Sequence, residues 1–210
     1  MQPIKTLRKA IQPMHGALEA TEPMQTLMLP GLTPYQYNHL LGWWYQTWMR
    51  LETLEQSLRP DDSLAIIAPV ARAYKARHDY EHLSALQNLP LYETATTLPD
   101  GPELPAGESS WLSLVYIMRG SELGNQIVYQ HLKTCFSNTT TVAYLSFFEP
   151  TEAPLAWPAV LKVLNSRMEA QGHTTSVITA ARKVFQWLHE SAVISITCET
   201  RPDPGRSTPG

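Results

Sequence analysis

Residues 33–60 read TPYQYNHLLGWWYQTWMRLETLEQSLRP, and this stretch decides the fold class. Apolar side chains stand at Leu40, Leu41, Trp44, Tyr45, Trp48, Leu51, Leu54 and Leu58. That spacing follows the i, i+3, i+4, i+7 rhythm of an amphipathic helix rather than the alternation of a strand. Thr33 before Pro34 supplies an N-cap with proline in the first turn, where its missing N–H costs nothing. Arg59-Pro60 closes the helix, because the residue before proline avoids the α region.

The same rhythm extends in both directions. Asp62 and Ser63 offer caps for a helix running toward Tyr74 with Pro69 as a kink, and a further helix covers His78 to Leu86. Residues 88–109 are rich in Pro, Gly, Asp and Thr and read as a long surface connection. From Ser109 the pattern resumes through Leu132, and two more helices are expected over 154–170 and 174–193. TVAYLSFF (141–148) is β-branched and aromatic, yet in an all-helical setting it reads as helix or loop. The expected architecture is one all-α domain of about seven helices over residues 1–196. The composition of 197–210, ending RPDPGRSTPG, is that of a flexible tail.

Composition narrows the function. A chain of 210 residues with 43% hydrophobic content can bury one sizeable core. Sixteen Lys and Arg against nineteen Asp and Glu give a net charge of −3, which does not suggest a nucleic-acid partner. Cys135 and Cys198 form no CxxC or zinc spacing. The first sixteen residues lack the continuous apolar core of a signal peptide, and Leu64 to Ala71 is too short to span a bilayer. The expectation is a cytoplasmic protein with no membrane partner.

Two constellations carry chemistry. The first is LRKAIQPMHGALEATEPM (7–24), in which His15, Glu19 and Glu22 share one face if the helix is continuous. A histidine with a carboxylate one turn away suits a metal ligand whose tautomer the carboxylate fixes. The second is LVYIMRGSELGNQIVYQHL (114–132), where Gly120, Ser121 and Gly124 form a stripe of small residues. Two interior glycines cost a helix about 1 kcal/mol each, so the stripe requires either tight packing or a flat ligand against bare backbone. His78, Asp79 and His82 have helical spacing but read as a solvated face. Trp43, Trp44 and Trp48 read as core and interface residues.

Together these segments resemble the biliverdin-producing heme oxygenases, particularly the bacterial ones. The family's first helix runs approximately L-[RK]-x-x-T-x-x-x-H-x-x-x-E, and Leu7, Arg8, His15 and Glu19 occupy its positions. The distal helix runs approximately Y-V-L-E-G-S-x-L-G-G-x-x-I-x-x-H-L, matched here by Tyr116, Gly120, Ser121, Leu123, Gly124, His131 and Leu132. LTPYQYNHLLGWWYQTWMRLE (32–52) resembles the second helix, and residues 157–188 match more weakly. The departures are Ile11 for Thr, Pro13 and Gly16 beside the ligand position, Arg119 for an acidic residue, and Asn125 for the second glycine of a pair.

The resemblance implies heme held between a proximal helix and a kinked distal helix. It implies His15 as iron ligand, with Glu19 tuning the ligand's basicity. Gly120, Ser121, Gly124 and Asn125 would line the oxygen-binding side, and Arg8, Tyr116, Lys162 and Phe185 would contact heme, with Arg167 behind Lys162. Heme is then both substrate and oxygen-activating group, cleaved with dioxygen to biliverdin, carbon monoxide and ferrous iron. The chain has no flavin or nicotinamide motif, so electrons come from an external ferredoxin- or flavoprotein-type reductase, with Lys133, Arg182 and Lys183 as docking candidates. A bilin acceptor such as a phytochrome is a further partner. The alternative is a heme-binding or heme-trafficking protein of the same fold without turnover, motivated by Asn125 and Pro13. Thiamin-degrading-type hydrolases and diiron oxidases share the architecture, but Cys135 lacks the context the former needs. The set Glu19, Glu22, His78 and His82 does not clearly supply the latter.

Overall fold

In the computed structural model, residues 2–60, 62–89 and 98–197 are described. They form seven α-helices: α1 (Pro3–Glu19), α2 (Glu22–Leu27), α3 (Pro34–Leu58), α4 (Ala73–Leu86), α5 (Glu108–Cys135), α6 (Trp157–Ala170) and α7 (Thr174–Thr197). Short 3-10 helices cover Asp62–Ile67 and Thr140–Ala143, and there is no strand among the described residues. The expected all-α class and helix number are found.

Local chemistry explains the boundaries. The Thr33 hydroxyl accepts from the Gln36 N–H while the Gln36 side chain accepts from Thr33 N–H, a reciprocal cap at the start of α3. The helix ends at Leu58 before Arg59-Pro60, as the sequence predicts. The helix expected from Asp62 toward Tyr74 is not continuous. The 3-10 helix stops at Ile67, residues 69–72 lie outside any helix, and α4 starts afresh at Ala73. Pro69 therefore separates two elements instead of kinking one. Glu52 on α3 accepts the backbone N–H of Ala73 at 2.8 Å, which satisfies a free donor in the first turn of α4.

The connection before α5 is anchored rather than loose where it is described. Leu98 is buried, its carbonyl accepts from Arg50, and the Pro99 carbonyl accepts from the Trp187 indole. The expected flexible tail lies outside the described residues from position 198 onward, and α7 itself runs to Thr197.

α3 pairs with α4, while α7 packs against both α1 and α5 and so joins the two helices that carry the constellations. The core is aromatic: Trp111, Tyr37, Phe136, Phe147 and Phe148 are almost wholly buried. Asp79 does not lie on a solvated face as expected. It is fully buried and accepts from Ser146 Oγ and Phe147 N at 2.8 and 2.9 Å, fixing the 141–148 segment, while His78 and His82 remain exposed. No helix among the described residues is long and apolar enough to cross a membrane.

Candidate functional site

α1 supplies one wall of a cavity of about 880 Å³, within the range of about 300–1,000 Å³ usual for small-molecule and cofactor sites. Arg8, Ile11, His15 and Leu18 line it at helical spacing. Leu7, Ile11 and Leu18 bury the helix's apolar edge. α1 continues unbroken through Pro13, whose exposed ring faces solvent, so the ligand-position turn is kept. The helix ends at Glu19, and Glu22 opens α2, so the three-residue face expected of His15, Glu19 and Glu22 is not one helical stripe.

His15 Nδ1 lies 3.4 Å from Glu19 Oε2, which leaves Nε2 as the nitrogen available to a ligand. The imidazole packs edge-on against Phe185 of α7, with ring centroids 5.7 Å apart. His15 is 56% exposed and Glu19 61%. This wall is open.

α5 supplies the opposite wall. Tyr116, Gly120, Ser121, Gly124 and Asn125 all line the cavity. The two glycines differ. A Cβ at Gly124 would meet nothing within 4 Å, so its backbone is bare to the cavity. A Cβ at Gly120 would meet the Trp157 indole at 3.5 and 3.6 Å. Ser121 Oγ donates to the Met118 carbonyl at 2.7 Å and is thereby committed to its own helix. Asn125 is 9% exposed, and its Nδ2 finds no hydrogen-bond partner in the protein.

Behind this wall lies a layer of buried charge. Arg119 is 1% exposed, donates to the Leu155 carbonyl and sits 3.4 Å from Glu122. Arg72 is 2% exposed, donates to the Glu149 carbonyl at 2.8 Å and lies over the Phe147 ring. Burial holds the Glu122 carboxyl above its ordinary value, and Arg119 and Arg72 only partly offset this. The two guanidiniums together hold the carbonyls of Glu149 and Leu155 in the stretch between Phe148 and Trp157, both of which line the cavity.

Of the heme-contact candidates, Arg8, Tyr116 and Phe185 line the cavity. Lys162 is exposed on α6 and is not part of the lining, and Arg167 is paired with Glu108. Of the three tryptophans of α3 read as core, Trp43 and Trp48 are buried and Trp44 is half-buried, and all three also line the cavity. Met24, Met28 and Trp157 line it as well. Met24 lies in the first constellation and Trp157 opens the weakly matching 157–188 segment, but neither stands among the expected site residues, and Met28 carries no motif at all. Lys133 lies over the Tyr129 ring, Arg182 reaches the Ala10 carbonyl, and Lys183 donates to the Glu103 carbonyl. Among the described residues no three His, Cys, Asp or Glu side chains come together as a metal site, so a dinuclear centre finds no ligand set there.

The donor set and shape of this cavity fit heme. An imidazole stands on one wall, bare helix backbone on the other, apolar and aromatic side chains lie between, and Arg8 offers a cation for a carboxylate. No protein-family model matches the sequence, and no curated protein matches it. Solved structures do. Heme oxygenase from Leptospira interrogans superposes with a TM-score of 0.65 at 15% identity, covering 91% of this chain and 98% of that one. Heme oxygenase-1 from the cyanobacterium Synechocystis, solved in complex with heme, gives a TM-score of 0.61 at 13% identity, covering 92% and 91%. With the helix order, the two facing walls and these likenesses together, the chain has the fold of the bacterial heme oxygenases.

Proposed function

We propose that this protein is a heme oxygenase, converting heme to biliverdin, carbon monoxide and ferrous iron with dioxygen and electrons from a separate reductase. The observation that carries the reading is the cavity with His15 on one wall and the open backbone of Gly124 on the other. Heme bound there would supply the oxygen-activating iron and would itself be the group oxidised.

The protein's own part is binding and orientation. His15 would hold the iron through Nε2, with its ring set by Glu19 on Nδ1 and by the edge contact with Phe185. Arg8 would pair with a heme carboxylate at the cavity edge. The tryptophans of α3 and Phe148 exclude water from the inner end. Asn125 brings an unpartnered amide donor to the oxygen side, where Ser121 has none to spare. A phytochrome-type bilin acceptor and a charge-guided reductase encounter through Lys133, Arg182 and Lys183 complete the proposal, with the cytoplasm as the site of action.

A hemin titration followed by an electron donor in air, with catalase present, tests it. The expected result is a one-to-one histidine-ligated spectrum, lost in His15→Ala, then conversion to a bilin band in the wild type. A His15-dependent complex that only cycles between oxidation states identifies a heme carrier of this fold. Absence of any stoichiometric complex overturns both.

A further inference from the structure

Sequence logic treats Gly120 and Gly124 as equivalent, since both are small residues one turn apart on a helix that faces the cavity. The structure separates them. The space over Gly120 is taken by the indole of Trp157, the first residue of α6, at 3.5–3.6 Å from a would-be Cβ, whereas nothing stands over Gly124. One turn earlier on α5, Tyr116 packs on the same indole with centroids 5.6 Å apart at 56°. The ring is also firmly based. Pro158 follows it within the first turn of α6, and the Leu155 carbonyl two residues before it is held by the buried Arg119.

Trp157 lines the cavity, so a planar ligand sliding along α5 toward its N-terminus meets the indole at Gly120. The four-residue step from Gly120 to Gly124 covers about 6 Å of helix axis, comparable to the width of one ring of a tetrapyrrole. We infer that Trp157 is the stop that sets where along the distal helix a flat macrocycle lies, and hence a specificity-determining residue for which edge is presented to oxygen. The inference rests on the heme reading of the cavity and adds to it the residue that fixes in-plane seating.

The test is proton NMR of the cyanide-ligated ferric hemin complex, whose heme methyl shifts report in-plane orientation, read beside the isomer composition of any bilin formed. Wild type is compared with Trp157→Ala and with Trp157→Phe, which keeps a flat aromatic face. Trp157→Leu serves if the alanine variant does not fold, judged by circular dichroism. The expected result is one dominant methyl pattern in wild type, and a second pattern exceeding about a tenth of the total in Trp157→Ala or Trp157→Leu. Trp157→Phe should return to a single pattern, and hemin affinity should change less than tenfold throughout. An unchanged methyl pattern and isomer composition in a folded Trp157→Ala or Trp157→Leu overturns the inference and leaves the oxygenase reading standing. Failure of wild type to take up hemin overturns both.

Discussion

On α5, the run Ser110 to Val115 is buried together with Ile117, Met118, Arg119, Asn125 and Leu132. On α1, burial is limited to Pro3, Leu7, Ile11 and Leu18, and the proposed iron ligand stands more than half exposed. Both helices line one cavity and both pack on α7, yet they are constructed differently. The α5 wall is fixed from behind by a dense core and by buried arginines. The α1 wall is an amphipathic helix lying on the outside, with Pro13 and Gly16 in its interior. A wall that must discriminate small displacements of a ligand gains from rigid backing. A wall that must admit a large flat ligand gains from being the part that yields.

The sharpest way to break this contrast is to weaken each wall in turn. Leu114 is fully buried on α5, so Leu114→Ala should cost about 2–5 kcal/mol by lost burial and cavity formation. His15→Ala, which removes a side chain that is 56% exposed, should stay within about 0.5 kcal/mol of wild type in the absence of heme. Urea unfolding of the two variants measures both. Comparable losses would mean that α1 is as integral to the fold as α5.

How much of this could be seen in the sequence differs between the walls in the same way. The start and end of α3, the length of α5 and the positions of α6 and α7 follow from caps, prolines and apolar spacing, which are local properties. The place of His15 on a helix with Glu19 is local too. Nothing local distinguishes a tryptophan that fills core from one that walls a cavity, so Trp44 and Trp48 are legible as packing residues but not as site residues. Trp157 takes its role from a partner about forty residues away, Gly120, and no spacing rule reaches that far. Arg119 looks like a surface charge on a helix. Its burial depends on the carbonyl of Leu155 and on Glu122 closing around it. Lys162 shows the reverse error, a cation chosen by its place in a weakly matching helix that the fold turns to solvent.

A second comparison uses α1's own weak points. Pro13 is exposed inside a continuous helix, and a proline in a helix interior costs about 3 kcal/mol. Pro13→Ala should therefore raise stability, by about 1–3 kcal/mol. A Cβ at Gly16 meets nothing within 4 Å, so Gly16→Ala should add about 0.5–1 kcal/mol. If the yielding of α1 serves ligand entry, both variants should slow hemin association in stopped flow while raising the unfolding midpoint. Stabilisation with unchanged association would show that α1 does not open to admit heme.

The smallest expected effect concerns the far end of α5, where Glu108 in the first turn accepts two bonds from Arg167 of α6 at 2.7 and 3.0 Å and a third from Gln171. The Arg167 hydrogen bonds hold the Glu108 carboxyl below its ordinary value of 4.5, against the opposing pull of burial. A carboxyl whose folded value is depressed binds its proton less readily in the native state. Its stabilisation is thus fully present above pH 4.5 and is lost as pH falls through the lower folded value. Arg167 is 37% exposed, so solvent screening keeps the pair to about 0.5–1 kcal/mol. Arg167→Met should lower stability by that amount at pH 7, and the gap from wild type should close as pH falls below about 4.5 in urea titrations. The His15–Glu19 pair on α1, with both partners more than half exposed, should give no comparable gap when Glu19 is replaced by Gln. A gap at Glu19 as large as that at Arg167 would place ordered electrostatics on both walls and remove the distinction between them.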